Sequence, residues 1–161
     1  AGVTTWFNGK KDNELFLSAL TIGEIRRGIC QQEKKNPQFA ARLSEWLDSL
    51  LFLYGERILP ISTQIALEWG VISTQTGNSS ADGLIAATAK VHHLTVVTRN
   101  IKHFEITGVP CHNPWLEEAV RCIPLVIVFS RYAVLHSPVI SGMKSAYFVS
   151  QRNHKDFAAE F

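Results

Sequence analysis

What this chain has little of removes whole classes of protein. Its three cysteines, Cys30, Cys111 and Cys122, stand at no paired spacing, so neither a disulfide framework nor a zinc ribbon is encoded. A reducing compartment is the expected setting. The adjacent Cys111 and His112 are of metal-ligand type, with plain packing as the competing role. No G-x-G-x-x-G and no G-x-x-x-x-G-K-[ST] loop occurs, which removes the usual phosphate cradles of nucleotide-binding domains. The apolar stretch at 123–129 falls well short of the roughly 20 residues that a membrane-spanning helix needs. A net charge of +2 supplies no whole-molecule attraction to nucleic acid or lipid.

What is present suits one ordinary domain, since 161 residues with 46% hydrophobic and 19% charged positions can bury a core. The charge is unevenly spread. Residues 119–161 hold five Lys and Arg against two Asp and Glu, and 121–150 hold no acid at all. That part shows neither a sustained 3.6 nor a sustained 2 period. The expected division is therefore a domain at 1–118 and an appended segment at 119–161, whose pattern suggests only a strand near 123–129.

Along the chain, residues 1–14 read as a helix end or linker, and 15–20 (LFLSAL) as a buried strand. Thr21 to Glu24 matches a capping box, which predicts a helix starting there with Ile22, Ile25 and Ile29 inward. A second helix begins near Asn36-Pro37 and carries Phe39, Leu43, Trp46, Leu47, Leu50, Leu51 and Tyr54 on one face, with Gly55 as its stop. A short strand at 57–61 leads to Ser62, the cap of a third helix with Ile65, Trp69 and Ile72 inward. Ser79 to Asp82 repeats the capping signature ahead of a helix facing inward through Leu84, Ile85, Thr88 and Ala89. Strands at 94–97 and 108–113 follow. Alternation of this kind predicts an α/β fold with a parallel sheet and helices on its faces.

Glu24 and Asp82 are each expected at the start of a helix that follows a strand or a loop. Taken singly, each is a helix cap contributing about 1 kcal/mol. Together they would share the sheet edge where ligands bind in open α/β folds. Two carboxylates about 4 Å apart repel by about 4 kcal/mol at an effective dielectric near 20, and a hard divalent cation relieves that repulsion.

The ordered stretches LFLSALTIGEIRRGI, ARLSEWLDSLL, ILPIS, ALEWG, SSADGLIAATAKVHHLTVVTRNIKHF and NPW, covering roughly residues 3–116, resemble the PIN-domain ribonucleases, in particular the toxins of VapBC-type toxin–antitoxin pairs. The resemblance implies an α/β/α sandwich and cleavage of RNA with Mg²⁺ (or Mn²⁺). It also implies a homodimer, an antitoxin partner and a cytoplasmic location without membrane association. By position it makes Glu24 and Asp82 metal ligands, and gives Asn100 the polar place after the late strand, orienting the metal's water or the scissile phosphate. Arg26, Arg27, Lys90, Arg99 and Lys102 are candidates for an RNA path, or ordinary solvated helix faces.

Two departures lower the expected activity. The family opens with a strand ending in Asp-Thr-Asn, and residues 1–14 hold no such motif, so the expected fold lacks that first strand and helix, with its metal-ligand Asp. His103 stands where the pattern R-N-x-x-[DE]-F carries an acid, and an imidazole cannot replace a carboxylate at Mg²⁺. His103 is expected on an exposed loop, with a phosphate contact as the alternative. Residues 152–157 echo 99–104, which reads as coincidence. The expectation is an endoribonuclease with cleavage weakened or absent, or else a non-catalytic PIN-like module that binds an antitoxin or self-associates.

Overall fold

Short β-branched and aliphatic runs, each followed by a helix cap, fold this chain into strands that all point the same way. The computed structural model describes residues 6, 9–77, 79–114 and 125–127. After a 3-10 turn at Asp12–Glu14 come β1 (Leu15–Ser18), α1 (Ala19–Glu33) and α2 (Pro37–Tyr54). Next are a second 3-10 turn (Gly55–Arg57), β2 (Ile58–Leu59), α3 (Thr63–Thr76) and α4 (Ala81–Val91). β3 (Thr95–Val97), α5 (Ile101–Glu105), β4 (Cys111–His112) and β5 (Leu125–Ile127) complete the order.

The strands lie in the order β2-β1-β5-β3-β4, and every pairing is parallel. Pleat alternation divides the core between the two faces. Leu15, Leu17 and Val97 join Ile25 and Ile29 of α1 and Leu43, Leu47 and Leu50 of α2. Phe16 and Val96 point the other way, to Ile65 and Ile72 of α3, Ile85 and Ala89 of α4 and Phe104 of α5. The result is the expected α/β/α sandwich around a parallel sheet.

The helix signals act largely as read. Asn36 accepts the Phe39 N–H at 3.1 Å with Pro37 in the first turn. Ser62 accepts from Ile65 at 3.3 Å. Gly55 (φ 45°) and Gly77 (φ 66°) close α2 and α3 in a positive-φ conformation, which glycine adopts without the Cβ clash.

The box at Thr21 does not act as expected. Ser18, the last residue of β1, is the cap: its hydroxyl accepts the Leu20 N–H at 3.2 Å, and α1 starts at Ala19. Thr21 is fully buried, with no hydrogen-bond partner for its Oγ1 among the described residues. Glu24 therefore sits in the second turn, and the first turn of α1 has no acid.

The strand expected near 123–129 is found at Leu125–Ile127, and it lies in the middle of the sheet. It pairs with β1 through Leu15↔Leu125, Phe16↔Val126 and Leu17↔Ile127, and with β3 through Thr95↔Leu125, Val96↔Val126 and Val97↔Ile127. A boundary at residue 118 thus runs between strands of one sheet. The echo at 152–157 lies outside the described residues.

Candidate functional site

The carboxyl ends of β1 and β3 open into helices, and the polar residues gather there. Thr98, fully buried just after β3, accepts the Asn100 N–H on its Oγ1 at 3.0 Å. That turn sets Asn100 as the residue that starts α5, although its side chain makes no capping bond. One turn on, the His103 N–H reaches the Asn100 carbonyl at 3.2 Å. Phe104, only 1% exposed, anchors α5 in the core.

Asp82 comes to the same place from α4. Ser80, one residue later than the expected Ser79, is the N-cap residue, and it makes no side-chain capping bond. Asp82 is in the first helical turn, where a negative charge is favoured by the helix dipole. Its Oδ2 lies 2.8 Å from His103 Nδ1. A carboxylate only accepts, so the ring's proton is on Nδ1 and the ring donates. Of the two side chains, Asp82 is 27% and His103 57% exposed. The histidine expected on a loop is thus on a helix and tied to the candidate acid, an arrangement that one-dimensional spacing did not suggest.

The structure brings Asp82, His103 and the Asn100 backbone together. Glu24 comes from α1, where it is half-buried, and that helix packs against α4. Whether these residues fit a divalent cation is decided by the donors. Among the described residues no group of three His, Cys, Asp or Glu side chains is placed to hold a metal ion, and one oxygen of Asp82 is already engaged by an imidazole. Mg²⁺ is held by one or two carboxylates with water completing its shell, and in this fold the ring of His103 already stands on one oxygen of Asp82.

Two of the cations considered for an RNA path have partners within the chain. Lys90 closes on Glu68 at 2.6 Å, and Arg26 reaches Glu33 at 3.9 Å and the Ser44 hydroxyl at 3.3 Å. The Cys111 thiol is pushed up to about 11, first by burial and second by the charge of Glu105. Its Sγ–H donates to the Val109 carbonyl at 3.3 Å. The His112 ring packs against Trp6 with centroids 5.4 Å apart. The folded chain holds the thiol proton more tightly than the unfolded one. The stability tied to it is full below about pH 9 and is lost as pH rises toward 11. At pH 8 a thiol reagent is expected to label the exposed Cys30 at least about tenfold faster than Cys111; equal rates, read by peptide mapping, would contradict this.

A parallel α/β/α sandwich with a carboxylate on a helix start beside a polar strand end belongs to the open α/β class, which builds its ligand sites at that edge. The comparisons then give the family. The PIN domain model matches residues 3–109, and the chain belongs to the PIN-domain family. It is 35% identical over 120 residues to Toxin FitB of Neisseria gonorrhoeae, covering 70% of this chain and 84% of that protein. It is 32% identical over 120 residues to VapC ribonuclease Y4jK of Sinorhizobium fredii, with 70% and 84% covered. Among solved structures it is similar to the crystal structure of FitAcB from Neisseria gonorrhoeae, with a TM-score of 0.65 at 35% identity, covering 70% of this chain and 84% of that one. β5 lies outside the matched residues 3–109.

Proposed function

We propose that this chain is a toxin of a VapBC-type toxin–antitoxin pair, an endoribonuclease by family whose cleavage of RNA is weakened or absent. The observation that carries it is Asp82, a first-turn carboxylate on the rim where β3 ends, within bonding distance of α5. The likeness to Toxin FitB and to VapC ribonuclease Y4jK supports the reading. Residues 1–118 form its PIN-like domain, to which 119–161 adds β5.

The ion assigned to Glu24 and Asp82 is Mg²⁺ or Mn²⁺, with Asn100 beside the substrate phosphate. When bound, the ion would supply an activated water for attack on the phosphodiester. A cytoplasmic location belongs to the same reading; among the described residues no helix is long and apolar enough to cross a membrane.

A second reading, a non-catalytic module that binds an antitoxin or forms a homodimer, draws on exposed apolar residues. Phe52 of α2 is 81% exposed and Leu67 of α3 is 71% exposed, on helices that cover opposite faces of the sheet.

One assay separates the two readings. Single-stranded RNA is incubated with the chain in Mn²⁺, in Mg²⁺ and in chelator, beside Asp82→Asn. The nuclease reading expects slow cleavage that needs the ion and falls in Asp82→Asn to the level of a protein-free control. Cleavage in chelator, or full activity in Asp82→Asn, would refute it. An intact RNA in every lane, with antitoxin capture retained by the variant, selects the module.

A further inference from the structure

The short contact between Asp82 and His103 is more than a surface pair. We infer that His103 is an internal occupant of the Asp82 carboxylate, donating Nδ1–H where a divalent cation would otherwise bind, so that one side chain keeps this chain's affinity for Mg²⁺ and Mn²⁺ low. This rests on reading Asp82 as a metal-site carboxylate.

The geometry supports it at each end. The donor–acceptor distance is 2.8 Å, within the range of a charge-assisted bond. The ring is held in place by its helix: Thr98 fixes the Asn100 N–H, the Asn100 carbonyl takes the His103 N–H, and Phe104 is locked into the core.

The chemistry of exchange follows. Mg²⁺ takes oxygen donors in near-ideal octahedral geometry, so at Oδ2 of Asp82 the ion competes with the ring's N–H for the same lone pairs. A second carboxylate at 103 would have the opposite effect. Two like charges in this small space would call for a cation, whereas Asp82 with His103 needs none.

The test is a titration of the full chain with Mn²⁺, read by the electron paramagnetic resonance signal of the free ion. It compares the parent chain with His103→Ala, His103→Glu, Asp82→Asn and the Asp82→Asn/His103→Ala pair, each shown by circular dichroism to be folded. Loss of a hydrogen bond to a charged group predicts that His103→Ala and His103→Glu bind Mn²⁺ roughly tenfold more tightly than the parent, or better. The double variant is expected to show no gain. Equal affinity in the parent and His103→Ala, or weaker binding in His103→Ala, overturns the inference and leaves the RNA assay of Asp82→Asn standing. If even His103→Glu takes up no Mn²⁺, Asp82 is not a metal carboxylate, and this inference falls with the metal-site reading beneath it.

Discussion

Val126→Pro is expected to abolish the folded state, giving insoluble or unfolded protein where Val126→Ala still folds. Val126 pairs with Phe16 of β1 on one side and Val96 of β3 on the other. Proline removes an N–H from the ladder and forces its ring between neighbours, which is tolerated at sheet edges but not in the middle. The carbonyl across the ladder then loses its N–H, and the strand's neighbouring bonds loosen with it. The lost bond alone costs about 1–3 kcal/mol, before the clash of the ring, against a typical total of roughly 5–15 kcal/mol.

The topology raises that cost. Among the described strands, β1 pairs with β2 and β5, and β3 with β4 and β5, so β5 is what joins the two halves. Because Val126→Ala keeps the N–H, the difference between the two variants in urea unfolding followed by circular dichroism isolates the ladder. A Val126→Pro protein as stable as Val126→Ala would mean that the sheet does not depend on β5.

The same strand bears on the chemistry. β5 is followed in sequence by Val128, Phe129 and Ser130, so the central strand runs into no acid. The flanking strands end in the buried hydroxyls of Ser18 and Thr98. The candidate carboxylates Glu24 and Asp82 come from helices instead. Among the described residues no strand ends in an acid, in keeping with the weak nuclease proposed.

Much of the fold was legible because local signals agreed with the burial pattern. Asn36-Pro37 and Gly55 bound α2 in sequence and in space, and Ser62 starts α3 as read. The shift from Thr21 to Ser18 had a physical reason invisible to spacing: a strand's last residue can serve as the next helix's cap, and here Ser18 lies at the sheet rim where its hydroxyl meets the first free N–H. β5 was only half legible. Its apolar run has strand length, but nothing local tells a central strand from an edge one. The bond from His103 to Asp82 joins residues 21 apart and depends on α4 and α5 meeting, which only the packed core decides.

Phe104→Ala is expected to lower stability by about 3–5 kcal/mol, the range for removing a large buried aromatic. Phe104 is 1% exposed and packs among the aliphatic side chains of α3, α4 and β3. α5 is five residues long, too short to be helical without tertiary anchoring. Removing the anchor therefore loosens the segment that carries His103, and the ring should leave Asp82 more often. Two readouts test the link: urea unfolding for stability, and Mn²⁺ affinity under conditions where the variant is folded. Affinity is expected to rise toward that of His103→Ala. Phe104→Leu refills part of the volume and is expected to lose less stability and gain less affinity, which keeps the test informative if the alanine variant cannot be isolated. Stability lost with Mn²⁺ affinity unchanged in both variants would show that the Asp82–His103 contact holds without the core beneath it.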